Sequence, residues 1–350
     1  MSANKGAERA TGPGSQRERG GSVSLAVVVP SYRRPRELER CLDALMAQTR
    51  APAQVIVALR AEDGASRETV AAREREALIE VVLVDRLGQL AALSAACARV
   101  RADAVAFTDD DCVAHPDWLE RIAASFAEDA AIGAVGGRDV VHCGGSIDER
   151  EVMEVGRVRW FTRLVGNHHN IAPSQDVAFL KGACMAVRTA CLPALEERLR
   201  GEGAQVHNDM QLTLAVHRAG WRVVYDPRIR VEHFPAGRFD GDGRARRSLR
   251  AVHDEHHNET LVLLSLLPVW QKPFAVAYRL LVGTRAAPGA ALALPCLLRS
   301  PHRGRLLRES LAANAGRLAG LGTFLRGESR RSPQRSALAS PGRLDTGARP

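Results

Sequence analysis

The chain has 350 residues, enough for one large α/β domain or two smaller ones, and its 45% hydrophobic and 25% charged residues are those of an ordinary globular protein. Its seven cysteines are odd in number, scattered and without a C-x-x-C pair; this argues against a disulfide framework or a structural zinc site and favours a reducing compartment. The formal charge of +9 is concentrated at the end, where Leu297 to Pro350 carries eleven arginines against Glu309, Glu328 and Asp345. Such an end suits an anionic surface, phospholipid or nucleic acid, or is an arginine-rich tail with no partner.

In chain order, residues 1–22 lack an apolar run, so they read as a disordered lead-in rather than a signal peptide. Leu25 to Val29 is a continuous apolar strand broken by Pro30-Ser31-Tyr32-Arg33-Arg34-Pro35. Leu38, Cys41, Leu42, Leu45 and Met46 then recur at helical spacing. Val55 to Leu59 is a second strand, Arg67 to Glu76 a surface helix, and Val81 to Val84 a third strand ended by Asp85. A helix from Gly88 to Val100 and a strand from Ala104 to Phe107 complete the series. Strands alternating with helices predict an α/β, Rossmann-like, mostly parallel sheet flanked by helices. Ligands of such sheets gather at the carboxyl edge, where Pro30, Ser31, Tyr32, Arg60, Asp85 and Asp109 to Asp111 emerge.

The run Asp109-Asp110-Asp111 is the strongest chemical signal. Three adjacent like charges repel unless a cation or several donors meet them. Mg²⁺ or Mn²⁺ takes one or two carboxylates and completes its shell with water and substrate phosphates, so the run predicts a metal–diphosphate site. The alternative is a solvated turn in which Asp111 caps the next helix. Further on, Phe179 to Val187 is an extended segment interrupted by Gly182, His207-Asn208-Asp209-Met210 precedes a helix, and Arg222 to Tyr225 and Val231 to Phe234 are extended. His168-His169 and His256-His257 are adjacent pairs that suit a loop lining an acceptor cleft better than a chelate.

Four segments, in order, resemble the glycosyltransferase family 2 enzymes, which have the nucleotide-sugar-binding GT-A fold. They are Val27 to Arg34, Phe107 to Asp111, Leu180 to Met185, and Asn208-Asp209 with Arg218 to Pro227. The resemblance covers Ser24 to Phe234 and implies inverting sugar transfer from a nucleotide-diphosphate donor to an acceptor hydroxyl, in cell-surface polysaccharide or glycolipid synthesis. It implies Asp209 as general base, Asp109 near the ribose, Asp111 on a divalent ion (Mg²⁺ or Mn²⁺) and His233 as a further ligand. The donor site it implies also takes in Pro30, Ser31, Tyr32, Arg33, Arg60, Asp63, Asp85, Gln89, Asp110, Gly182 and Ala183. Many members carry two acids and then Gly-Ser after the second strand. Here Arg60 stands near the usual acid and Asp63 is displaced, so Arg60 is a candidate phosphate ligand.

The expected domains are a disordered segment 1–22, a GT-A domain 23–258, a helical region 259–325 and a basic disordered tail 326–350. Leu261 to Leu267 is cut by Pro268, and Phe274 to Leu298 contains Arg279 and Arg285, so no window spans a bilayer. Such stretches fit helices lying at a membrane interface, or a helical pair covering the domain's own core. Peripheral contact with an anionic membrane at the cytoplasmic inner face is the favoured reading, with a glycan or lipid-linked acceptor and no nucleic-acid partner. Rival readings are a haloacid-dehalogenase-type phosphatase, whose D-x-D-x-[TV] pattern fits Asp109 to Val113, a nucleotidyltransferase, and a non-enzymatic surface-binding protein.

Overall fold

The structure is a computed structural model that describes residues 23–73, 78–237 and 248–328. The expected disordered segment 1–22 and most of the expected basic tail lie outside these residues. The first half alternates as anticipated: β1 (Leu25–Ser31), α1 (Pro35–Met46), β2 (Gln54–Arg60), α2 (Gly64–Ala71), β3 (Ile79–Val84), α3 (Gln89–Cys97) and β4 (Ala104–Phe107). Next come β5 (Cys112–Ala114), α4 (Trp118–Glu128), the long β6 (Ile132–Cys143) and the two-residue strands β7 (Ser146–Ile147), β8 (Arg157–Val158), β9 (Leu164–Val165) and β10 (Gln175–Asp176). The domain continues through β11 (Met185–Arg188), α5 (Asn208–Arg218) and β12 (Arg222–His233), and the chain ends in α6 (Leu249–Leu266), α7 (Lys272–Leu281), α8 (Ala290–Arg299) and α9 (Arg303–Glu328).

The main sheet runs β10-β12-β6-β11-β4-β1-β2-β3. Strands β3, β2, β1 and β4 are mutually parallel neighbours, because each strand–helix unit returns the chain in the same direction. Alternate side chains of β1 serve opposite faces. Val27 and Val29 pack with Leu38 and Leu42 of α1, while Val28 packs with Leu93 of α3. Burial on both faces explains why β1, β2 and β4 read as unbroken apolar runs.

The second half departs from simple parallel winding in two places that matter for the site. β11 is antiparallel to both β4 and β6, with Met185 opposite Phe107 and Gly136. The turn before β11, Gly182–Cys184, therefore abuts the end of β4 and the acidic run. β12 unites the two extended segments expected separately, with a register shift between Tyr225 and Arg230. Beyond that bulge it pairs with β5, placing His233 opposite Cys112.

α6 and α9 carry Leu261–Leu264 and Phe324 into one cluster with Leu90, Phe179, Met210 and Leu214. They cover the domain's own core. The expected boundary at 258/259 falls inside α6 and that at 325/326 inside α9. His256 and His257 lie on α6 and not in a loop, and His257 is fully buried. No helix among the described residues is long and apolar enough to cross a membrane.

At the bulge, Gly137 leaves no room for a side chain: an added Cβ would lie 1.9 Å from the Ile229 carbonyl oxygen and 2.5 Å from that of Asp226. Both obstacles are backbone, so they cannot swing aside. Gly137→Ala is expected to lower stability by about 3 kcal/mol or more, measured by urea unfolding. A wild-type midpoint would show that the β6–β12 register does not depend on this close approach.

Candidate active site

The site begins where β4 runs out of apolar residues and leaves three carboxylates at the sheet edge. Each meets a different environment. Asp110 is buried, with Oδ2 accepting from Ser31 Oγ at 2.7 Å and Oδ1 from Arg34 Nη1 at 2.7 Å. Burial pushes its carboxyl up to about 7, against the pull of Arg34. Asp110 thus ties the loop after β1 to the acidic run, with both carboxylate oxygens engaged at the border of the cleft. Arg34 also donates to the Gly237 carbonyl at 2.9 and 3.1 Å, clamping the segment after β12 over the run.

Asp111 Oδ2 accepts from the Ala236 N–H at 2.9 Å, and its Oδ1 lies 3.2 Å from His233 Nε2. Burial opposes its charge, but His233, that N–H and Arg34 hold it down at about 2. His233 is gripped from behind: its Nδ1 lies 2.9 Å from Oδ1 of Asp139, a fully buried carboxylate on β6 that also pairs with Lys181. Burial lowers the imidazole's proton affinity, yet Asp111 and Asp139 together raise its pKa to about 9. His233 Nε2 is buried and faces Asp111 Oδ1, and one ligand atom each from Asp109, Asp111, Cys112 and His233 lie within 4.8 Å of one another. Two carboxylates and an imidazole are a donor set that fits Mn²⁺ or a similar divalent ion, whereas burial pushes the Cys112 thiol up and keeps it protonated, outside that set. Orienting the ligating imidazole by a carboxylate behind it is how such ligands are fixed in position.

A cleft opens beside these groups. Of the expected residues, Pro30, Ser31, Tyr32, Arg60, Gln89 and Asp109 to Asp111 border it. Arg60 lies over the Tyr32 ring at 5.5 Å, and its Nε is buried with no hydrogen-bond partner. The far wall is Glu202, Gly203 and Ala204, which no sequence motif marked. It is held by the Gln89 N–H donating to the Gly203 carbonyl at 2.9 Å and by Gln205 Oε1 accepting from the Leu90 N–H at 2.9 Å. Gly88 (φ +96°) permits that contact, since a Cβ there would sit 2.3 Å from Gln205 Oε1.

Other expected residues lie off the cleft wall. Asp63 is buried and caps α2 through the Ser66 N–H at 3.2 Å, and also accepts from the Arg33 N–H at 2.5 Å. It shapes the loop in which Arg33 takes a left-handed conformation (φ +57°). Asp85 follows the edge strand β3 and is exposed to solvent. Ala183 is buried in the core behind the turn. His168 is likewise no cleft residue: it packs against the rings of Phe179 and Tyr225, and burial pushes its pKa down to about 4.

Asp209 stands in the first turn of α5, whose N-cap is the left-handed His207 (φ +77°) and not Asn208. Asp209 Oδ2 accepts from the Gly182 N–H at 3.1 Å, and Oδ1 from the Met210 N–H at 2.7 Å. The Gly182 turn thus touches Asp209 on one side and adjoins the end of β4 on the other. Asn208 Nδ2 donates to Gln89 Oε1 at 3.0 Å, and Gln89 Nε2 reaches Asp109 Oδ1 at 3.4 Å, a side-chain bridge from α5 to the acidic run.

The model of the glycosyltransferase-like family 2 matches residues 23–253. An N-acetylglucosaminyltransferase of Mesorhizobium japonicum is 27% identical over 226 residues, covering 58% of this chain and 50% of that protein. The chain therefore spans about half the length of that relative. Among solved structures, GalNAc-T7 with UDP, GalNAc and Mn²⁺ aligns over 73% of this chain and 54% of its own, with TM-score 0.53 and 14% identity. S. aureus TarS with UDP-GlcNAc aligns over 87% of this chain and 92% of its own, with TM-score 0.53 and 14% identity. At such identity the likeness is one of fold, the GT-A fold.

If His233 coordinates an ion, the ion must displace a proton held with a pKa of about 9. Mn²⁺ affinity should then rise with pH up to about 9. His233→Asn should weaken binding and flatten the rise. The check is a manganese spin-resonance titration at several pH values. Equal slopes in both proteins would remove His233 from the ligand set.

Proposed function

The chain belongs to the glycosyltransferase-like family 2, and from that premise we propose that its cleft transfers a sugar from a nucleoside-diphosphate donor to an acceptor hydroxyl, with inversion at the anomeric carbon. The observation that carries this reading is the Gly182 turn, which sets the Asp209 carboxylate beside the acidic run through the backbone pairing of β11 with β4. A carboxylate held by backbone N–H groups near an acidic, metal-fitting edge is the minimum that an inverting transfer needs.

Donor contacts are assigned to Tyr32, Arg60, Gln89 and Asp109, which border the cleft. Arg60 meets a diphosphate oxygen through its planar fork, and Asp109 accepts from a ribose hydroxyl. Asp111 and His233, with Asp109 close by, would hold a divalent ion, Mg²⁺ or Mn²⁺. When bound, such an ion supplies charge neutralisation for the departing diphosphate. Asp209 takes the acceptor hydroxyl proton as that oxygen bonds to the anomeric carbon. The bond to the donor phosphate oxygen breaks, and the nucleoside diphosphate leaves with the electron pair. The Gly182 and Met210 N–H groups fix the angle of the Asp209 carboxylate, so the base is held before the acceptor arrives. The relative named as an N-acetylglucosaminyltransferase supports the transferase class, and the acceptor we assign is a glycan or lipid-linked glycan of the cell surface, met at the cytoplasmic face of the membrane.

Asp209→Asn preserves size and removes the proton acceptor. Turnover should fall by on the order of 10²-fold or more with donor affinity nearly unchanged, measured as acceptor-dependent release of nucleoside diphosphate. Wild-type turnover in this variant would reassign Asp209 to anchoring the Gly182 turn. Release of nucleoside diphosphate that never depends on an acceptor would reject the transferase reading itself.

A further inference from the structure

We propose that the turn Arg159–Arg163 and helix α7 together form a docking face for an anionic phospholipid surface. The turn joins β8 to β9 and carries Trp160 (77% exposed) and Phe161 at its tip. Beside it, the segment opening α7 exposes Val269 (78%), Trp270 (57%) and Phe274 (61%). The two parts make one patch: Trp160 meets Trp270 edge-on at 6.0 Å, and Phe161 stacks on Tyr278 at 5.5 Å. Contiguous apolar surface of this kind on a folded domain marks an interaction site.

Charge selects the partner. Residues 157–165 contain Arg157, Arg159 and Arg163, of which Arg159 pairs with Glu154, and residues 260–308 contain six Lys or Arg besides the buried Arg279 and no carboxylate. Exposed Trp and Phe rimmed by cations is the composition that settles at the headgroup level of anionic bilayers. A sugar polymer is a poorer match, because Trp160 and Trp270 turn edges to each other and the exposed tips of Val269 and Leu281 offer no hydrogen bonds. A second copy is poorer still, since a two-fold contact would set the patch's cations against themselves.

The face is rigid. Arg279 of α7 is buried and donates to Thr162 Oγ1 at 3.2 Å and to the Thr162 carbonyl at 2.7 Å, holding the left-handed residue (φ +58°) that shapes the turn. The same guanidinium pairs with Glu259 of α6 at 2.5 Å, and α6 packs Leu261–Leu264 against Met210 and Leu214 of α5, the helix bearing Asp209. The docking face is thus braced to the helix of the proposed base. Presentation of a membrane-held acceptor to Asp209 is the use this implies. That use rests on the transferase reading, whereas docking itself does not.

The test uses the full-length protein with phosphatidylglycerol–phosphatidylcholine vesicles at low salt, alongside pure phosphatidylcholine vesicles. The readouts are co-sedimentation and quenching of tryptophan emission by brominated lipid. Donor binding is measured on the same samples, so a failure here is separable from a failure of the proposed function. Wild-type protein should partition onto the anionic vesicles with quenching, and Trp160→Ser with Trp270→Ser should weaken partition by about tenfold or more. If that double variant loses its native circular dichroism, Phe274→Ser replaces it with the same expectation. The proposal is overturned if wild-type protein ignores the anionic vesicles. It is equally overturned if the variants partition like wild type, which would place membrane affinity elsewhere in the chain, or if the patch governs only self-association in sedimentation velocity.

Discussion

Three carboxylates in a row at the end of a buried strand are the constraint around which this molecule is arranged. Their repulsion in a low-dielectric edge must be answered, and the chain answers it differently at each position. Asp110 is taken inward by Ser31 and Arg34. Asp111 is held charged by the Ala236 N–H and His233. Asp109 stays on the cleft wall, within reach of Gln89. A row that looks uniform in sequence thus becomes a buried anchor, a carboxylate paired with His233 and a cleft contact, because neighbouring side chains leave the edge in different directions.

The groups that meet the acidic run come from far along the chain, and two irregularities of the sheet deliver them. The antiparallel β11 brings the Gly182 turn, and with it Asp209, to the carboxyl edge of β4. The bulge in β12 swings its last residues over β5 and sets His233 against Asp111 and Asp139. Asp139 is the keystone: fully buried, it is tolerable only because His233 and Lys181 both serve it, and the imidazole is aimed as a result. Without the bulge this carboxylate would lose His233 and be left in the core with Lys181 as its partner.

Most of the first half was legible because each strand there is buried on both faces and each helix carries one apolar stripe. The predicted strand Ala104 to Phe107 is β4 residue for residue, and the stripe Leu38, Cys41, Leu42, Leu45 is the buried face of α1. The acidic run and His233 were legible as chemistry. Asp139 left a readable signal, a carboxylate next to Arg138 in the mostly apolar strand Ile132–Cys143, and that signal was missed. The wall Glu202 to Ala204 was not legible, since its place depends on long-range contacts of Gln89 and Gln205. Asp85 and Asp63 lie off the cleft wall for a related reason. A strand's end fixes the height of the next residue and not the direction of its side chain, so one faces solvent and the other caps α2. The docking patch escaped notice because Trp160–Phe161 and α7 are more than a hundred residues apart and join only in the fold.

The central claim is that the acidic edge, His233 and the cleft form one site for an ion and a nucleoside diphosphate. Anomalous diffraction from crystals grown with Mn²⁺ and a nucleoside diphosphate tests it directly. The account expects a single strong manganese peak between Asp111 and His233, with the diphosphate reaching it from the side of Arg60 and Tyr32. A diphosphate bound elsewhere, or an ion held without Asp111 and His233, would contradict it.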